Sequence, residues 1–201
     1  MNIFTKKVFD KKAQKRKSPL LLQKGLSLIE ASMVLALSAI VVSGVMYYYQ
    51  SASDNNKTQT TVSEVMSIVS AINGLYIGNS GYTGLDESVI YNTSAVPDNY
   101  KGKDKGKIKI MHPFGGEINI GATANGSKYY IVLNNVPQGP CVNLASMNFG
   151  TSLAGAGVGG NAVEAAKKGS TGGDLMNKAL TPALASGQCK TDSNAIAFLL
   201  K

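Results

Sequence analysis

From Leu26 to Tyr49 the chain reads LSLIEASMVLALSAIVVSGVMYYY, apolar on every side of a helix drawn through it, with Glu30 as its one charge. As a helix this run would extend about 36 Å, more than the ~30 Å hydrocarbon core of a bilayer. It reads as a transmembrane helix. The alternative is a helix buried in a soluble core, but a chain of 201 residues has little core with which to surround it. The pattern then changes. Val62, Val65, Met66, Val69, Ile72 and Tyr76 recur at i, i+3, i+4, i+7 spacing as one apolar stripe, and polar Ser63, Glu64, Ser67, Ser70 and Asn73 take other positions. No proline lies between Pro19 and Pro97, and Gly78 and Gly81 close the pattern. One helix is therefore predicted from about Leu26 to about Ile77. Its first half is apolar all round, and its second half is amphipathic and should lie on a sheet. The change near Gln50–Asn56 marks the exit from the membrane. Ser43-Gly44 is either a weak point where the helix could melt or a small-residue site for close helix packing.

Residues 78–113 have weak periodicity and read as a long connection over the helix with a short helical turn. Within it Lys101, Lys103, Lys105, Lys107 and Lys109 alternate with other residues. Nucleic acid or an anionic host surface would bind such a run, but a solvated loop or a protected edge strand explains it more simply. Glu117–Ile120 and Tyr129–Leu133 are β-prone and separated by the turn-rich 121–128, an antiparallel hairpin signal, and Ile196–Leu200 is a further strand candidate. A long helix laid on an antiparallel sheet is an α+β fold.

Charge refines the picture. The formal net charge is +8, but residues 1–25 hold eight Lys/Arg against one acid, Asp10, and carry +7 of it. The body is nearly neutral, so the basicity gives no reason to expect a nucleic-acid partner. A basic flank before an apolar span stays cytoplasmic and places the C-terminal body across the membrane. The span is too long for an ordinary signal peptide, and the break in character precedes it, at Lys24-Gly25-Leu26. Gly25 lets the backbone approach an enzyme cleft closely. Glu30 is costly in lipid and needs a partner, unless it sits at headgroup depth and reaches water. If cleavage follows Gly25, the new amine of Leu26 on a neighbouring chain could pair with Glu30, neutralising both charges and setting an axial stagger.

The stretch KGLSLIEASMVLALSAIVVSGVMYYYQSASD resembles the N-terminus of a type IV pilin, in particular the type IVb class, and the resemblance continues through SEVMSIVSAINGLYIG, SAV with PDNY, and HPFGGEINIG. It implies the type IV pilin fold, with a disulfide-bounded C-terminal region, and the role of major structural subunit of a type IVb pilus. Residues 1–25 would be a leader removed by a prepilin peptidase, 26–50 the transmembrane and filament-core half of the helix, and 51–201 a periplasmic globular domain. That domain would divide into the amphipathic half-helix (about 51–77), the connection 78–113, and the sheet and disulfide region 114–201. Leu26 would be N-methylated and Glu30 would be the assembly carboxylate. The implied partners are the chain itself as a helical homopolymer, the inner membrane before assembly, the inner-membrane assembly machinery, minor pilins and the host-cell surface. Bundling, autoaggregation and host-cell adherence belong to the same implication.

In an oxidising periplasm Cys141 and Cys189 are expected to pair, closing a loop of about 48 residues worth roughly 4 kcal/mol in the chain-entropy model. A reactive-thiol pair is the rival, without CxxC spacing to support it. The enclosed segment, rich in Gly and Ala, is expected to bury little by itself. Gly155, Gly157 and Gly160 match GxGxxG, but without a βαβ unit they read as a flexible surface loop. His112, the only histidine, reads as a turn residue before Pro113. Asn92-Thr93-Ser94 and Asn125-Gly126-Ser127 fit a glycosylation pattern only weakly. No catalytic constellation, metal-ligand spacing or cofactor motif emerges, so no enzyme, metal or cofactor is expected. Two other readings remain: a minor pilin or type II secretion pseudopilin, and an uncleaved membrane-tethered envelope binding protein.

Overall fold

The computed structural model describes residues 27–201. Contacts divide the chain into two compact units, one ending at Val45 and one running from Met46 to Lys201. Helix α1, Leu28–Leu75, has 48 residues and matches the predicted long helix to within two residues at each end. It stops where Gly78 adopts a left-handed φ of 83°, a conformation that costs glycine little.

The second unit is built on seven strands, all antiparallel: β1 (Lys101–Asp104), β2 (Lys107–Met111), β3 (Glu117–Ala122), β4 (Tyr129–Val136), β5 (Leu153–Val158), β6 (Leu175–Met176) and β7 (Asn194–Leu200). Their order in the sheet is β1-β2-β3-β4-β7-β5-β6. The three predicted strand segments are β3, β4 and β7, each slightly longer than expected. Helices α2 (Glu87–Tyr91), α3 (Gln138–Ala145), α4 (Gly160–Lys168) and α5 (Pro182–Gln188) connect them.

Strand alternation sorts the core. On one face Tyr129, Ile131 and Leu133 of β4 and Ile196, Phe198 and Leu200 of β7 join Val65, Ile68, Val69 and Ile72 of α1, with Ile90 of α2 and Leu144 of α3. On the other face Val132, Ala197 and Leu199 pack with Ala162 and Ala166 of α4. β7 is thus apolar on both sides and sits between β4 and β5, pairing Ile131↔Phe198 and Ala156↔Phe198. A strand buried on both faces reads as a continuous apolar run, which is what AIAFLL is.

The structure departs from the sequence reading in three places. Residues 101–111 are not an unstructured connection but a hairpin, turned at Lys105-Gly106 with φ of 49° and 83°, both positive as a tight two-residue turn requires. β1 is the outermost strand, so the protected-edge reading of the lysines fits. The expected short helical turn is α2. Second, Gly155 and Gly157 do not lie in a flexible surface loop. They are in β5, inside the sheet, and Gly160 opens α4. A Cβ at Gly157 would collide with the Asp174 carbonyl oxygen and meet Ala162 Cβ at 2.8 Å. The glycine is therefore there for close approach of β6 and α4. Third, the Gly/Ala-rich region between the cysteines supplies β5, β6, α4 and α5 and a full share of the core. It does not depend on a staple for want of buried surface.

Candidate functional site

The N-terminal half of α1 is where the sequence reading placed function. Its apolar side chains are uncovered: Leu28 is 90% exposed, Ile40 70% and Val42 55%, and the most apolar 18-residue window of the helix has no buried residue. A contiguous apolar surface of this kind marks a membrane or protein-interaction site. Its few polar side chains are satisfied within the helix. The hydroxyls of Ser32, Ser38 and Ser43 donate to the carbonyl oxygens of Ile29, Val34 and Ala39 at 2.7–2.8 Å, so they add no unpaired donor to an apolar medium. The helix is unbroken at Gly44, where a Cβ would meet nothing within 4 Å.

Glu30 has a local role that the sequence reading missed. Ser27 Oγ accepts from the Ile29 N–H at 3.2 Å, and Glu30 Oε2 accepts from the Ser27 N–H at 2.9 Å. Ser27-Leu28-Ile29-Glu30 is therefore a capping box, legible as S-x-x-E at the start of an apolar run. It satisfies donors that helix geometry leaves unpaired and holds the carboxylate at the first turn. A carboxylate has about four lone-pair positions, so this bond leaves Glu30 capacity for a second donor. Gly25 and Leu26, the expected cleavage and methylation residues, lie outside the described residues.

Cys141 in α3 and Cys189 just after α5 form a disulfide, with Cα atoms 6.0 Å apart and a sequence separation of 48. Both are buried. Among the described residues no group of three His, Cys, Asp or Glu side chains is placed to hold a metal ion.

His112 and Glu64 are both buried. His112 is the turn residue expected, its carbonyl oxygen accepting from the Gly115 N–H at 2.8 Å, but it is only 1% exposed. Its Nδ1 accepts from the Phe114 N–H at 3.3 Å, so Nε2 carries the proton and donates to the Asn134 carbonyl oxygen at 2.7 Å. Burial pushes its pKa below the usual 6.5, partly offset by the Asn134 bond. Glu64, expected off the apolar stripe, lies on it: the buried stripe of α1 is Thr61, Glu64, Val65, Ile68, Val69 and Ile72. Met66, assigned to the stripe, is 43% exposed. The 3-1-3-1-3 spacing of the true stripe was available in the sequence, but it required accepting a carboxylate at an apolar position.

The lysine hairpin divides by partner. Lys101 pairs with Asp98, and Lys109 with Asp104 and Glu117. Lys103, Lys105 and Lys107 make no ion pair among the described residues and are exposed.

Residues 50–197 match the family model described as Bundlin. Over 193 residues the chain is 49% identical to the major structural subunit of bundle-forming pilus of Escherichia coli O127:H6 (strain E2348/69 / EPEC), covering 89% of this chain and 95% of that protein. Identity and coverage are the same with the protein of that description from Escherichia coli O111:H-.

Proposed function

The chain belongs to the bundlin family, and on that premise we propose that it is the major structural subunit of a type IVb pilus, polymerising through α1 into surface fibres. The observation that carries this reading is 49% identity, across nearly the whole length, to subunits described as the major structural component of the bundle-forming pilus. The uncovered apolar half of α1 supports it. The role is structural rather than catalytic.

In this reading the chain starts as an inner-membrane prepilin with its body in the periplasm. Prepilin peptidase removes residues 1–25 after Gly25, and Leu26 is N-methylated. The apolar half-helix then leaves the bilayer for the fibre core. Lipid tails are as apolar as Leu, so the hydrophobic effect excludes the free aqueous state but does not distinguish bilayer from fibre. Packing and polar pairing must make that difference. Glu30 is the one charge in the span; in lipid it is costly. In the fibre its spare oxygen capacity accepts the Leu26 amine of a neighbour, which selects the stagger between subunits. Head-to-tail contacts that repeat without closing produce a filament. Bundling, autoaggregation, host-cell adherence and contacts with minor pilins and the assembly machinery are the wider roles of such a fibre.

The test is electron microscopy of sheared surface fibres from cells carrying Glu30→Val beside wild type, with processing checked by mass spectrometry. The expected result is cleavage after Gly25 in both, with fibres lost only in the variant. Wild-type cells with neither cleavage nor fibres containing this chain would overturn the pilin reading. Normal fibres in the variant would overturn the register role of Glu30.

A further inference from the structure

Glu64 lies on the buried face of α1, 5% exposed, and neither carboxyl oxygen has a hydrogen-bond partner or contact with solvent. Buried polar groups are ordinarily bonded, and a buried carboxylate without a partner is among the costliest arrangements in a fold. Its neighbours on the stripe do not help. The Thr61 hydroxyl donates its one proton to the Lys57 carbonyl oxygen at 2.8 Å, and Val65 and Ile68 are apolar.

The titratable groups carried by the elements of this core are committed elsewhere. Lys57 of α1 lies over the Phe114 ring at 5.8 Å. His112, after β2, bonds Asn134 and Phe114. Tyr129 of β4 donates to Asn73 at 3.4 Å and stacks with Tyr82, which stacks with Tyr76. Glu87 of α2 accepts from the Ile120 N–H, and Tyr91 lies under Lys101. No ion pair among the described residues includes Glu64.

We propose that Glu64 makes the packing of α1 on the sheet a pH-responsive latch, closed while the carboxyl carries its proton and loosened when the proton leaves. Burial alone raises the Glu64 pKa from 4.5 to about 7, with no neighbouring charge to oppose it. A folded-state pKa above the unfolded value means the folded chain holds the proton more tightly. The contribution is fully present below about pH 4.5 and is lost as pH rises through about 7. From well below pH 4.5 to well above pH 7 the folding equilibrium weakens by about 300-fold. The inference concerns the fold of the subunit and stands apart from the pilus reading.

The test uses the full chain in detergent micelles, labelled with carbon-13 at the glutamate carboxyl. The sequence has five glutamates: Glu30, Glu64, Glu87, Glu117 and Glu164. One resonance should titrate near pH 7 and vanish in Glu64→Gln. Amide exchange across Val65–Ile72, corrected for the intrinsic rate, gives the second reading. Protection in wild type, relative to Glu64→Gln, should fall by up to about 150-fold from pH 4.5 to 8.5. Five midpoints in the ordinary carboxylate range, or the same pH dependence in both proteins, would overturn the latch. If Glu64→Gln does not fold, the wild-type carbon titration decides alone.

Discussion

Replacing Cys141 and Cys189 together by alanine should destabilise the second unit as a whole. The bridge closes a loop of 48 residues. In the chain-entropy model, 2.1 + 1.5R ln n cal/mol/K with n of about 48 gives ~14 cal/mol/K, or about 4 kcal/mol at 25 °C. Both cysteines are buried, so lost packing adds about 1 kcal/mol. A loss of about 5 kcal/mol is a large share of the stability of an ordinary domain. The loop is no separate lobe. β5 pairs with β7, which also pairs with β4, so loosening the loop uncovers Phe198 and Ile196 in the centre of the sheet. Guanidinium unfolding of the full chain in detergent, followed by the near-ultraviolet dichroism of its tyrosines, should show one transition at lower denaturant. Amide exchange should accelerate together in β3, β4, β5 and β7. A loss below about 1 kcal/mol would refute the loop-constraint argument. Fast exchange confined to β5, β6 and α4, with β3 and β4 still protected, would refute the cooperative one.

Gly157→Ala should cost about 1–3 kcal/mol, because the new methyl meets the Asp174 backbone and Ala162 rather than a yielding side chain. Thermal unfolding should fall by about 3–9 °C, and an unchanged Tm would show that β6 moves aside freely. His112 should make the subunit acid-sensitive. Its folded pKa lies below the unfolded 6.5, so its contribution is present above about pH 6.5 and is lost as pH falls towards the folded value. Protonation also removes the Nδ1 acceptor used by the Phe114 N–H. Denaturation midpoints across pH 4–8 should show this slope in wild type but not in His112→Gln, and parallel curves would exclude it. This slope opposes that of Glu64, so each variant isolates one of the two.

What the sequence determined on its own was whatever local pattern encodes. The 24-residue apolar span, the amphipathic stretch after it and the absence of proline define α1, because helix periodicity and chain length are local properties. Runs of β-branched and aromatic residues mark β3, β4 and β7 for the same reason, and two cysteines allow a single pairing. The capping box at Ser27 and Glu30 is equally local, since S-x-x-E before an apolar run encodes it. Tertiary structure alone decided the rest. It placed β7 in the middle of the sheet and folded a Gly/Ala-rich segment of little strand propensity into β5 and β6, because contacts distant in sequence supply the burial that local preference lacks. It buried Glu64 and His112, since an amphipathic pattern gives the direction of a face but not how wide a surface the sheet will cover. A stripe broader than its apolar positions took in Thr61 and the Glu64 carboxyl with them, and only packing against the rest of the fold closed water away from that carboxyl.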